Sequence, residues 1–92
     1  MPISRTAKRQ VRVDARRRLR NKAVRTRCRT FVARANRLIA AGDLEAAQQA
    51  VLAAVSALDK AAQKGIIHAN NAARRKSRLT RKLSEALKAA AS

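Results

Sequence analysis

An all-α fold, specifically an up-down-up three-helix bundle with a long, projecting N-terminal helix, is what the 92-residue sequence predicts. Three observations carry this expectation. No glycine or proline interrupts the chain from Thr6 to Ala41. Glycines at 42 and 65 then stop one helix-length segment and divide the next from the last. Within the segments, apolar residues recur at steps of three and four, the spacing of one helix face. The expected elements are helix one at about 6–41, helix two at about 44–64 and helix three at about 68–90, in one domain of 1–92.

At about 1.5 Å per residue, helix one would reach on the order of 50 Å. Val24, Cys28, Phe31, Ala35 and Leu38 form its packing seam. Continued backwards, the seam meets Asn21 and Arg17 instead of Leu19. Val11, Ala15, Leu19 and Ala23 lie on a different side, so the first half should project beyond the packed core. Arg5, Arg9, Arg12, Arg16 and Arg20 make one cationic stripe, and Arg18, Lys22, Arg25 and Arg29 make a second, turned away from the first. With Lys8 and Arg17 added, charge nearly encircles the rod, as suits a helix set between polyanion segments on more than one side. Cys28 sits on the seam and reads as a small buried apolar residue. Asp14 is expected to pair with Arg18, four residues on.

Ala41-Gly42-Asp43 is a stop-and-start signal, with glycine suited to the position after a helix and Asp43 to the next N-cap. Leu44, Ala47, Val51, Val55, Leu58 and Ala62 make the expected packing stripe of helix two, leaving an outward face of mostly Gln, Ala and Ser. Glu45 complements the positive end of the helix dipole, and Lys60 and Lys64 the negative end.

Helix three lies in the stretch KGIIHANNAARRKSRLTRK, Lys64 to Lys82. His68, Asn70 and Asn71 are helix-opening residues, able to cap the backbone or to present its N–H groups to an anion. Ala72, Leu79, Leu83, Ala86 and Ala90 fall on one face; Arg74, Arg78, Arg81 and Lys88 fall roughly opposite, with Asn71, Arg75 and Lys82 on the same broad flank. Lys76 alone projects toward the apolar stripe. Glu85 is expected to pair with Arg81. Short connections imply antiparallel neighbours. Helix two then returns beside helix one to the level of Arg20, and helix three begins near Arg16–Lys22, bringing two distant basic segments side by side.

Net charge is +18, from 23 Lys and Arg against 5 Asp and Glu. Residues 1–37 carry +13, residues 38–63 carry −2 and residues 64–92 carry +7. Such self-repulsion points to a polyanionic partner. Phe31 is the one aromatic residue, so base-stacking platforms of the single-strand-binding type are absent. One cysteine excludes an intrachain disulfide and one histidine a zinc cluster. No carboxylate pair, Gly-rich phosphate loop or nucleophile beside a base is present, so no enzyme, metal, cofactor or small-molecule substrate is expected. No apolar run approaches the roughly 20 residues of a membrane span, and the N-terminus lacks a signal-peptide core.

KGIIHANNAARRKSRL resembles the third-helix signature of the family of bacterial small-subunit ribosomal protein number twenty, and RRRLRNKAVRTRCRTFV resembles its first-helix pattern. The resemblance spans essentially the whole chain. It implies a cytoplasmic three-helix protein that binds small-subunit ribosomal RNA directly, in the 5′ domain and beside the long 3′ minor-domain helix, early in subunit assembly. It implies a monomer within the ribosome, with few or no protein contacts. Carried over by position, Arg17, Arg18, Arg20, Lys22, His68, Asn70, Arg74, Arg75, Lys76 and Arg78 would face RNA. The chain departs from the family at Ala69 and Asn71, where lysine is frequent. The residues themselves add Arg5, Lys8, Arg9, Arg12, Arg16, Asn21, Arg25, Arg29, Asn71, Arg81 and Lys82 to that set. The alternatives are a DNA-binding nucleoid-associated protein, and a helical module that oligomerises through its apolar seams. Residues 1 to about 20 are expected to be poorly ordered without RNA. Amide exchange on the free protein should find low protection across Lys8–Leu19.

Overall fold

The computed structural model describes residues 5–91. Met1–Ser4 and Ser92 belong to the expected domain of 1–92, and Met1–Ser4 to the segment expected to order on RNA; both lie outside the described residues. Three helices follow one another: α1 Arg5–Ala41, α2 Leu44–Gln63 and α3 Ala69–Ala91. No strand occurs among the described residues. None of these helices is long and apolar enough to cross a membrane.

Two glycines set the turns. Gly42 and Gly65 have φ of +80° and +73°, the left-handed region where a side chain would be strained. Around Gly42, its N–H donates to the carbonyl of Ile39 and the N–H of Asp43 donates to that of Leu38, each at 3.1 Å. Gly65 and Ile66 repeat the pattern on Ala62 and Ala61 at 3.0 and 2.9 Å. Both are Schellman closures, which satisfy carbonyls that a helix end otherwise leaves bare. Asp43 then caps α2, its Oδ1 accepting from the N–H of Ala46 at 3.4 Å.

The molecule is extended, 71 × 21 × 16 Å. α2 packs against both α1 and α3, which meet each other far less. One cluster near the α1–α2 turn joins Ala35, Ala50, Val51, Ala54 and Leu79, flanked by Phe31, Leu38, Val55 and Leu83. A second, toward the α2–α3 turn, joins Cys28, Leu58, Ala61 and Ala72, with Val24 and Ile67 against it. The expected seam of α1 is therefore packed, widened by Val32, which lies against both clusters, and by Ile39. On α2 the expected stripe is too narrow: Ala50, Ala54 and Ala61 are buried, whereas Leu44, Val55 and Ala62 are only half-buried. The reason is that α2 lies between two helices and must bury two flanks, so alanines assigned to the outside become core. Val11 and Leu19, 64% and 70% exposed, confirm that the first half of α1 has no packed partner.

α3 starts higher along α1 than expected. The Lys64–Ile66 turn itself lies against Arg17, Arg20 and Asn21, and the opening of α3 faces Arg25, Cys28 and Arg29. Placing it near Arg16–Lys22 overlooked the five residues between α2 and α3, which occupy that level. Lys82 Nζ donates to Asn36 Oδ1 at 3.5 Å. At about 1.5 Å per residue in both helices, that contact sets Leu87 level with Ala41, so the end of α3 overshoots the first turn.

Neither of the expected pairs of Asp14 and Glu85 forms. Asp14 instead accepts from Gln10 Nε2 at 3.1 Å, while Lys76 pairs with Asp59 of α2. Exposed i,i+4 pairs gain about 0.3–0.5 kcal/mol, too little to hold long side chains against solvation. Leu58, fully buried, should lower stability by about 2–5 kcal/mol when replaced by alanine. Leu52→Ala, at a position 64% exposed, should stay within about 0.5 kcal/mol. Urea denaturation followed by far-ultraviolet circular dichroism distinguishes the two.

Candidate nucleic-acid interface

The half of α1 that carries Arg5, Lys8, Arg9, Arg12, Arg16, Arg17, Arg18 and Arg20 is exposed, except for the half-buried Ala7, Val13 and Asp14. It is a cationic rod standing beyond the bundle. The charges of the bundle itself are organised differently, because three helices bring side chains from distant sequence into shared concavities.

A cleft of about 340 Å³ runs between α1 and α3. Its floor is Val32, Ala33 and Leu79, and its walls are Arg29 and Asn36 from α1 and Arg75, Arg78 and Lys82 from α3. Leu79 is buried there by its own packing, which turns residues one and four positions before it toward the cleft. Adjoining it is a smaller cavity of about 260 Å³, lined by Arg25, Cys28, Arg29, Ile66, Ile67, His68, Asn71 and Arg75. Below that, Arg17, Arg20 and Asn21 meet Lys64 at the α2–α3 turn. Of the second sequence stripe, Arg25 and Arg29 thus face α3, whereas Arg18 and Lys22 line none of these concavities. No carboxylate lines any of these three concavities.

His68 is a helix cap: its Nδ1 accepts from the N–H of Asn70 at 3.1 Å, and its carbonyl accepts from Ala72 at 3.1 Å. Asn70 is exposed and Asn71 half-buried. Arg74 and Arg81 are exposed on the outer side of α3 and line none of the cavities shared with α1. Lys76 is half-buried and turned to α2, where Asp59 holds it. Like Arg74 and Arg81, it does not line the α1–α3 cleft, but it alone of the three is paired with a carboxylate of α2.

Two cationic positions and one neutral one escaped the sequence reading. Arg27, with Lys60 of α2, borders a shallow cavity over Phe31 on the opposite side of α1. Arg34 lies over the Phe31 ring, Cζ 6.0 Å from its centroid, a cation–π contact. Asn36 closes the α1–α3 cleft with Lys82. Arg9, Arg16, Arg20, Arg27 and Arg34 recur at seven, four, seven and seven residues, a face visible in the sequence once the first stripe is followed past Arg20. Asn36 left no such signal, being polar and next to the seam.

Burial pushes the Cys28 thiol above its ordinary value of 9.0, with Arg75 and Arg27 opposing that rise. The thiol Sγ donates to the carbonyl of Ala57 at 3.5 Å. No group of three or more His, Cys, Asp or Glu that could hold a metal ion occurs among the described residues.

The chain matches the model of ribosomal protein S20 over residues 3–84. It is 52% identical over 97% of its length to small ribosomal subunit protein bS20 of Thermomicrobium roseum, spanning 90% of that protein. It is 49% identical to the bS20 protein of a Roseiflexus species over the full length of both chains. With the bS20 protein of Dehalococcoides mccartyi it shares 43% identity over 96% of this chain and all of that one.

The raised thiol makes a pH prediction. Above pH 9.0 the unfolded chain releases the Cys28 proton before the native protein does. The native advantage is complete below that pH and falls as pH rises toward the native value. Denaturation midpoints measured across alkaline pH should decline more steeply for the native sequence than for Cys28→Ala.

Proposed function

The chain belongs to the ribosomal protein S20 family, and from that premise we propose that it binds the RNA of the small ribosomal subunit directly, through the basic faces of α1 and α3. It is a structural constituent of that subunit, and the proposed binding stabilises RNA folding during assembly. The observation that carries the proposal is the cleft between the two helices. Arg29, Arg75, Arg78 and Lys82, from segments more than forty residues apart, share one concavity in which no carboxylate neutralises them.

The chemistry follows from that arrangement. Lys and Arg against phosphates supply affinity and orientation, and release counterions condensed on the RNA. The apolar floor of the cleft excludes water beneath those contacts without selecting a base. Recognition then rests on where the RNA backbone comes close enough to both helices at once, which is a property of its folded shape. The projecting half of α1, carrying charge around its circumference, reaches RNA segments that the bundle does not touch. α2, with an outward face of Gln, Ala and Ser, supports the other two. On this reading residues 1–92 act as one RNA-binding domain, as a monomer in the cytoplasmic ribosome with few protein contacts, and without a catalytic step, cofactor or membrane association. The DNA-compacting alternative finds no support among the relatives.

Affinity for small-subunit ribosomal RNA should exceed that for random duplex DNA at matched salt. Its logarithm should fall with the logarithm of salt concentration by about 0.7–0.9 per phosphate neutralised. Arg78→Glu, at an exposed position, should weaken RNA binding while circular dichroism stays that of the native bundle. Equal RNA and DNA affinities would contradict the proposal.

A further inference from the structure

The cavity at the opening of α3 has a lining that packing alone does not explain. Arg25 and Arg29 of α1 and Arg75 of α3 stand around its roughly 260 Å³ with Asn71, over Cys28, Ile66 and Ile67. Arg29 and Arg75 also wall the adjoining cleft, so they border the α1–α3 seam from its two sides. None of the three arginines forms an ion pair in the described structure, where the carboxylate of Asp59 is engaged by Lys76 on the other flank of α3. Like charges gathered on separate helices oppose the packing of those helices. An anion among them replaces repulsion with attraction. The helix terminus does not make the site, because His68 already caps the amide of Asn70. The volume falls below the ~300–1,000 Å³ of small-molecule pockets, which suits a single group of a larger ligand.

We infer that Arg25, Arg29 and Arg75 form a clamp for one phosphodiester of the RNA backbone, with Asn71 as a neutral donor beside it. This rests on the reading of the chain as RNA-binding, and it adds a distinction within the cationic surface. Cations on the projecting rod stand singly and meet whichever phosphate lies near. Three arginines that line one concavity can close together on a phosphate that protrudes from the RNA surface, and so select a backbone position. Guanidinium is suited to this because its planar fork binds two phosphate oxygens at once, which an ammonium does not.

Phosphate-ethylation interference on a small-subunit ribosomal RNA fragment, bound by the full chain, tests the clamp. Ethylation neutralises one phosphate per molecule. With the native sequence, one or two adjacent phosphates should exclude RNA from the complex when ethylated. In Arg29→Ala and Arg75→Ala that interference should vanish and affinity should fall about tenfold or more, with Arg29→Lys recovering only part of it. Arg37→Ala removes an equal charge from an exposed position of α1 that lines neither concavity and should leave the interference in place. Matched circular dichroism and thermal melts establish that each variant is folded. Variants that lose affinity while keeping the native interference pattern would overturn the clamp and leave RNA binding standing. A native protein that binds the fragment no better than duplex DNA would remove the RNA-binding reading and the clamp with it.

Discussion

Close contact of alanines along α2 is the constraint on which the rest of the structure depends. Six of the ten buried hydrophobic residues are alanine, and α2 supplies four of those six. Alanine buries little apolar area, so the core is thin, and a domain of this length is already near the lower limit for stable burial. What the small side chains give in return is a low, smooth surface against which both cationic helices can lie. Bulkier residues would spread α1 and α3 and widen the cleft between their arginines. A charged α2 of positive sign would add to repulsion that is already large. The near neutrality of α2 and its small side chains are therefore two parts of one solution, which lets +18 of charge fold around a core of modest size.

Charge and packing are also divided along α1. The part from Val24 onward has a seam, and the part before it does not, although both are equally helical in the structure. Helix propensity accounts for the continuity, since no glycine or proline intervenes and straight-chain arginines are good helix formers. Tertiary burial accounts for stability only in the second part. The two halves thus differ in what sustains them, even though one backbone runs through both.

The fold class was legible because its signals are local. Gly42 and Gly65, Asp43, and the Val24–Leu38 seam each report on their own neighbourhood. What the sequence concealed was rotation and register. Ala50, Ala54 and Ala61 look like surface residues on a helix assumed to have one packed face, and become core because α2 has two neighbours. The level at which α3 begins depends on the path of Lys64–His68, which no periodicity describes. The same limits govern the candidate site. That Arg29, Arg75 and Arg78 are outward and basic is written in the sequence; that Arg29 and Arg75 border the same two concavities follows only from the packing of Cys28 and Leu79. Arg27 and Arg34 continue the stripe of Arg9, Arg16 and Arg20, while Lys76 projects toward the apolar stripe as its spacing implies, and only its partner Asp59, on another helix, left no mark in the sequence.

That last contact has a consequence for how α3 is oriented about its own axis. Arg74, Arg75 and Lys76 are consecutive and point about 100° apart, so a roll of one residue would exchange their surroundings. Asp59 offers a counter-ion on one side only, and Lys76 takes it. An exposed pair of this kind contributes at most about 1 kcal/mol, enough to bias the azimuth without fixing it. A single carboxylate on the least charged helix thereby acts as an index mark, deciding which of three neighbouring cations is spent on the protein and which two remain outside.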